Sequence, residues 1–266
     1  MVHRLARRDV LALGAASSLA MGLPGAGSAL AEDSAPLLKS ISLIVRKPGT
    51  TVDQFKARWL GEHGPGARAI PGVQGFVLGE VVADPARAGS AAVESVALDG
   101  VAASWQAPGI DRKAQARTDP NVREWLAAAP SYIGNINIFV TCEHVFVPPR
   151  RGGLKIMTLI SRKPDMTHEA FVRHVLDVHG PLSRNVPGLG GYVMSEILRS
   201  SSMPGLPPVP GLGEIDIIGE SWLPEDPAQR TPDTPERRAW LADGAASFGS
   251  FRRYAMVEHI FVPPPA

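Results

Sequence analysis

The sequence has 266 residues, 44% hydrophobic and 20% charged, with 6% aromatics and a formal net charge of +1. These are values of ordinary globular protein and exclude a disordered, collagenous or disulfide-stapled chain. One cysteine, Cys142, cannot form an intrachain disulfide or supply a cysteine zinc cluster, and the near-neutral charge argues against nucleic acid as a partner.

The first segment reads as an address. Arg4, Arg7 and Arg8 precede an apolar run from Val10 to Leu23, and Ala29-Leu30-Ala31 fits a small-residue cleavage site. Residues 1–31 are therefore expected to be an export signal. Arg7-Arg8 followed by Asp9-Val10-Leu11 resembles a twin-arginine signal, although that pattern prefers Phe where Val10 stands. Such signals carry folded proteins across the bacterial inner membrane, so the mature protein is expected in the periplasm. The apolar run is broken by Gly22 and Pro24 and is too short for the ~20 residues of a membrane span. No stable membrane insertion is expected after cleavage. Removing residues 1–31 takes away three basic residues and one acidic, leaving 24 against 25 and a net charge of −1.

The remainder is one unit written twice. Arg46-Lys47-Pro48 recurs as Arg162-Lys163-Pro164, and His63-Gly64-Pro65 as His179-Gly180-Pro181, both 116 residues later. Pro71-Gly72-Val73 returns as Pro187-Gly188-Leu189 at the same offset, and Ser104-Trp105 matches Ser221-Trp222. Arg123-Glu124-Trp125-Leu126 then matches Arg238-Ala239-Trp240-Leu241, and Glu143-His144-Val145-Phe146-Val147 matches Glu258-His259-Ile260-Phe261-Val262. The conserved order divides the mature chain into halves at 37–147 and 154–264, joined by Pro148-Pro149-Arg150-Arg151-Gly152-Gly153.

Taken in chain order, Ser40–Val45 is a short β-branched run stopped by Lys47-Pro48, which predicts a first strand. Thr51 with Gln54 forms a capping-box pattern before a helix of about a dozen residues. Val73–Val82 and Val93–Trp105 predict the second and third strands, Asn121–Ala129 a second helix and Ile136–Val147 the last strand. The second half repeats this with strands at Lys155–Ile160, Leu189–Leu198, Glu214–Trp222 and Tyr254–Val262, a first helix after Thr167 and a second at Thr234–Ser247. The segments at 84–92, 106–120 and 200–213 read as long loops. Two βαββαβ units predict an α+β protein of two ferredoxin-like halves, each covering the other's open sheet face.

Phe55, Trp59 and His63 are spaced to stack on one side of the first helix, as are Phe171, Val175 and His179. The glycine and proline after each histidine read as a helix stop. A histidine at that end either caps free carbonyls or turns inward, where an imidazole titrating near neutrality moves protons or ligates a metal. In the last strands the period of two places Glu143 with Phe139, Thr141 and Val145, and His144 on the opposite face with Cys142 and Phe146. Glu258 and His259 repeat the pair. Both faces look buried, so each of the four is either an acid/base or ligand-contacting group or a satisfied contact between the halves. Trp105 and Trp222 read as core or as walls for a flat apolar ligand. Nucleotide-binding glycine motifs, a Gly-x-Ser-x-Gly elbow and a His-Glu-x-x-His motif are absent from the sequence.

The repeated Arg-Lys-Pro strand end, Phe-x-x-x-Trp-x-x-x-His-Gly-Pro, Pro-Gly-Val-x-Gly-Phe and Glu-His-Val-Phe-Val together resemble the EthD domain of the dimeric α/β-barrel superfamily. The likeness covers nearly all of the mature chain as two fused copies, with Val175 departing where the first copy has Trp59. It implies an intrachain dimeric α/β-barrel with a hydrophobic cavity in each half, existing as a monomeric pseudo-dimer or a homodimer. It also implies a small hydrophobic ligand, with His63 and His179 matching the family's helix-end histidine. Relatives include cofactor-independent dehydratases, cyclases and decarboxylases on aromatic polyketides and, further off, haem proteins. The leading expectation is a cofactor- and metal-free lyase or isomerase acting on a small cyclic or aromatic compound. In it His63 or His179 shuttles the proton, Glu143 or Glu258 holds the oxygen, and Phe55, Trp59, Phe171, His144, His259, Trp105 and Trp222 contact the substrate. The alternatives are a non-catalytic periplasmic binding protein and a haem oxidoreductase using His144, His179 or His259. The superfamily's dye-decolourising peroxidases carry Gly-x-x-Asp-Gly; the nearest string here, Val96-Ala97-Leu98-Asp99-Gly100, lacks the first glycine.

Overall fold

In chain order the first half runs β1 (Leu38–Arg46), α1 (Val52–Arg58), α2 (Gly64–Gly66), β2 (Val73–Val82), β3 (Gly100–Gln106), α3 (Arg112–Thr118), α4 (Pro120–Ala128) and β4 (Ile133–Val147). The second half follows with β5 (Leu154–Arg162), α5 (His168–His174), α6 (Gly180–Leu182), β6 (Gly191–Ser201), β7 (Ile217–Leu223), α7 (Pro235–Ser247) and β8 (Phe248–Val262). The computed structural model describes residues 38–82, 96–224, 226 and 232–265. The expected export signal, the start of the expected third strand at 93–95 and the loop at 84–92 lie outside these residues.

The strands close into an eight-stranded antiparallel barrel in the order β1-β3-β2-β8-β5-β7-β6-β4. Within each half the order is last, first, third, second, so the open edges are the second and last strands. Those edges are sealed across the halves: β2 pairs with β8, Leu78 opposite His259, and β4 pairs with β6, His144 opposite Met194. No strand of the barrel keeps an unpaired edge.

Alternation along the strands separates two environments. Ile41, Leu43, Phe139, Met157, Leu159, Ile218, Tyr254 and Met256 face inward and form the barrel core, to which Leu98, Val209, Leu212 and Ile215 add cover from loops at one end. The outward faces carry the helices. Ile44, Phe76, Leu78 and Ile136 pack under Phe55, Trp59 and Ala67 in the first half; Ile160, Tyr192, Met194 and Ile217 pack under Phe171, Val172 and Val175 in the second.

The helix starts follow the sequence. Thr51 accepts from the Gln54 backbone N–H while the Gln54 side chain accepts from the Thr51 N–H, whereas Thr167 caps Ala170 without the reciprocal bond. The helix ends do not follow it. His63-Gly64-Pro65 does not stop the helix: residues 59–63 form a π-helical turn, Gly64 keeps right-handed helical angles, and the path continues to Ala69. The same happens at 175–179. Gly64 is needed for space, because a β-carbon there would lie 2.3 Å from the ring of Phe261, and at Gly180 one would lie 2.2 Å from Phe146. Each ring comes from the other half's last strand. The segment 106–120, expected as loop, contains α3, started by Asp111 accepting from Lys113 and Ala114.

Candidate functional site

The π-turn decides where the first-half histidine goes. Its hydrogen bond from Gly64 N–H reaches the Trp59 carbonyl, one residue further back than in an α-helix. Phe55 and Trp59 stack as the spacing predicts, with centroids 5.1 Å apart. His63 instead lies flat on Trp125 at 4.2 Å, with the edges of Phe76 and Tyr132 at 5.8 and 6.0 Å. Trp125 Nε1 donates to the His63 carbonyl at 2.9 Å and so fixes this stack. Burial among rings pushes the His63 pKa down to about 4, so the imidazole is neutral at ordinary pH. Three polar atoms of this layer have no hydrogen-bond partner among the described residues: His63 Nδ1, Trp59 Nε1 and the Tyr132 hydroxyl. Burial, then the charge of Glu62, drives the Tyr132 phenol above its ordinary pKa and keeps it a donor.

In the second half the equivalent ring is held by hydrogen bonds. His179 is 3% exposed, its Nδ1 lies 2.9 Å from Asp243 and its Nε2 lies 3.0 Å from the Tyr192 hydroxyl. His174 shares the same carboxylate at 3.1 Å. With Asp243 accepting from Nδ1–H, the tautomer leaves Nε2 to accept from Tyr192. Burial still pulls the His179 pKa below the ordinary value, an effect that Asp243 only partly offsets. Trp240 at 5.7 Å and Phe248 at 4.8 Å complete the surround. Asp243 and Tyr192 were not singled out from the sequence. The repeat offset reveals both, since Asp243 aligns with Ala128 and Tyr192 with Phe76.

The glutamates occupy the other side of the sheet. Glu143 and Glu258 point into the barrel, so the structure does not bring them together with the helix-end histidines. They are the outer acids of an alternating ion-pair chain, buried in its middle and part-exposed at its ends: Glu143, Lys39, Glu220, Lys155, Glu258, Arg151. Lys39 joins Glu143 to Glu220. Lys155 joins Glu220 at 2.6 Å to Glu258 at 2.9 Å, and Arg151 bonds Glu258 at 3.0 Å. Trp222 Nε1 donates to Glu258 at 2.7 Å and Trp105 Nε1 to Glu143 at 3.4 Å. Burial alone would raise the Glu220 pKa, but the two lysines outweigh it and hold it at about 2. Lys155 is lifted by its two acids against burial. Each buried charge of the chain thus has an opposite partner, as buried charges demand. Trp105 and Trp222 are thus walls of this polar interior. Lys39, Lys155 and Glu220 are additions that no motif in the sequence marks.

Phe171 is buried under the second-half helix and meets Phe248 at 6.1 Å. His144 and His259 face outward at the two seams, His259 bonding Glu80 at 3.1 Å and His144 lying 3.7 Å from Glu196. As residues that would hold a haem, the three candidate histidines differ. Both nitrogens of His179 and Nε2 of His259 are engaged by neighbours, while His144 Nε2 is buried with no hydrogen-bond partner among the described residues. Among the described residues no group of three His, Cys, Asp or Glu side chains is arranged to hold a metal ion, and no helix is long and apolar enough to cross a membrane. A cavity of about 670 Å³ opens at the barrel end between Val45, Val96, Asn135, Val209, Pro210 and Arg252, away from every histidine above. Asp99 and Asp216 bind Arg46 and Arg162, which explains the repeated arginine at each first-strand end.

No protein-family model matches the sequence, and no curated protein matches it. Solved structures do match by shape. An anthrone oxidase-like protein is 14% identical, with 88% of this chain and 97% of that chain covered and a TM-score of 0.54. A protein described provisionally as a monooxygenase, from Fusobacterium nucleatum subsp. nucleatum ATCC 25586, is 10% identical, with 84% and 93% covered and the same TM-score of 0.54. At such identities the likeness concerns fold alone.

Proposed function

We propose that this is an exported protein of two EthD-like, ferredoxin-like halves that acts on a small hydrophobic, cyclic or aromatic compound as a cofactor-independent lyase or isomerase. We place its chemistry in the first-half aromatic layer. The observation that carries the reading is that His63 Nδ1, Trp59 Nε1 and the Tyr132 hydroxyl, all of the same aromatic layer, are buried and each without a partner among the described residues. Buried polar groups are almost always satisfied, and those that are not are concentrated where a ligand completes them. A planar apolar body matches Phe55, Phe76 and Trp125, and a carbonyl oxygen matches the two donors.

In this reading neutral His63 removes a proton from a carbon conjugated to that carbonyl through an aromatic ring. The electron pair moves to the oxygen, where the Trp59 N–H and Tyr132 O–H stabilise it, and the imidazolium returns the proton at a different atom. A pKa of about 4 makes His63 a weak base, so the substrate carbon must already be activated. The fold neighbours include an anthrone oxidase-like protein, and anthrone has such a carbon; it serves as the probe. Deuterium uptake at its C10 position, followed by NMR in D2O, is accelerated by the protein and falls roughly 100-fold in His63→Ala. His179→Ala, which leaves this layer intact, retains the exchange. Equal exchange in His63→Ala and the parent would overturn the assignment. The binding-protein reading has its own support in the 670 Å³ cavity, which holds none of these groups; tight anthrone binding without exchange favours it.

A further inference from the structure

Gly66, three residues beyond His63, has no backbone reason to be a glycine. It holds right-handed helical angles, φ −58° and ψ −29°, which alanine or leucine adopts more readily. Its match in the repeat is Leu182. What Gly66 lacks is a side chain: a β-carbon there would lie 2.9 Å from Cδ1 of Trp125 and 3.3 Å from its Nε1. Both atoms belong to the five-membered ring, on the edge that donates to the His63 carbonyl. In the first half the indole lies flat on His63, with centroids 4.2 Å apart and planes 9° from parallel. In the second half, where Leu182 stands, Trp240 is 5.7 Å from His179 and tilted by 27°, and it meets Tyr192 edge-on at 5.1 Å. The indole-to-carbonyl bond of the first half is missing there.

We infer that Gly66 is a positioning residue of the first-half layer: by carrying no side chain it admits the Trp125 indole onto His63, which closes one face of the imidazole and fixes its plane. His63 Nδ1 has no partner among the described residues, so the ring is oriented by its aromatic neighbours, and Trp125 is the one it meets face to face. His179 needs no such wall, since Asp243 and Tyr192 hold both its nitrogens. The effect on rate rests on the reaction proposed above; the stack itself does not.

The test therefore reads the stack and the reaction separately. In proton NMR of the parent, the carbon-bound ring protons of His63 are shifted upfield by the indole face, and the Trp125 N–H is shifted downfield by its bond to the carbonyl. In Gly66→Leu both signals move back toward the values of free side chains, and in Gly66→Ala they move the same way by less. With anthrone as probe, exchange at C10 falls roughly 10- to 100-fold in Gly66→Leu, the scale expected for a displaced base. In a Trp125→Ala background, Gly66→Leu leaves the His63 signals and the exchange rate as they were, because the position acts through the indole. Circular dichroism confirms that each variant is folded, and Gly66→Ala carries the test where leucine is not accommodated. Unmoved His63 and Trp125 signals in a folded Gly66 variant, or a full effect of Gly66→Leu without Trp125, would overturn the inference. So would undiminished exchange in a Gly66→Leu protein that has lost the stack. A parent that does not exchange anthrone overturns the reaction instead, and leaves the NMR signals to decide the role of Gly66.

Discussion

The two halves hold the same histidine in opposite ways. In the first, His63 sits among Trp125, Phe76 and Tyr132 with Nδ1 unpartnered among the described residues. In the second, His179 is bonded on both sides, by Asp243 and Tyr192. Residue for residue, the exchange is Ala128 for Asp243, Phe76 for Tyr192 and Arg58 for His174. A repeated motif therefore does not guarantee a repeated environment: His-Gly-Pro sets the position of the ring, and residues from the second strand and second helix set its chemistry. The departure at Trp59 also exchanges packing between helix and strand. A β-carbon on Gly100 would meet the Trp59 ring at 2.2 Å, and where the second half has Val175 it has Ile217 in place of Gly100. One half fills the space from the helix and the other fills it from the strand.

This packing exchange gives the largest expected effect. Trp59→Val leaves a hole in the first-half layer and costs about 3–5 kcal/mol. Gly100→Ile alone drives a side chain into the tryptophan. The double variant reproduces the second half's pair and recovers most of the loss. Urea denaturation of the three proteins measures it, and a double variant no more stable than Trp59→Val would break the equivalence.

The next effect comes from acid. His63 has a folded pKa of about 4 against 6.5 unfolded, so between those values the unfolded chain binds the extra proton. Stability from this residue is complete above pH 6.5 and is lost as pH falls toward 4, by up to about 3 kcal/mol. The carboxylate contribution of Glu220, held at about 2 against 4.5, is lost only below pH 4.5. Between pH 4.5 and 6.5, then, His63→Phe flattens the fall in stability seen in the parent, and an unchanged slope would show that the ring is solvated.

The smallest change converts the second half toward the first. Asp243→Ala removes the acceptor at His179 Nδ1, costs about 1–3 kcal/mol, and lowers the His179 pKa further by removing a group that raises it. Imidazole NMR titration reads this directly. A rise would mean that Asp243 is not the group that holds the ring.

Most of the architecture was legible because it depends on local pattern. The repeated patterns marked strands in both copies, alternation grouped Glu143 with Phe139 and Thr141, and Thr51 with Gln54 marked the helix start. What escaped depends on contacts between the halves. The glycine of His-Gly-Pro looks like a helix stop from either copy alone, and only the ring of Phe261 or Phe146, arriving from the other copy, explains it. The π-turn is likewise invisible to a 3.6-residue period, and it is why His63 leaves the Phe55–Trp59 row. Glu220 belongs to no motif because it has no repeat: its first-half match is Ala103.

That mismatch follows from joining both copies in one chain. Glu220 bonds Lys39 from one half and Lys155 from the other, a bridging position that two identical subunits related by a two-fold axis would furnish twice. Two carboxylates would then face each other between the same two lysines, and one would have to hold a proton or leave. A covalent link allows the centre of the barrel to carry a single unrepeated carboxylate, and with it a polarity along its interior, from a part-exposed acid at Glu143 to a buried one at Glu258, that no symmetric pair can have.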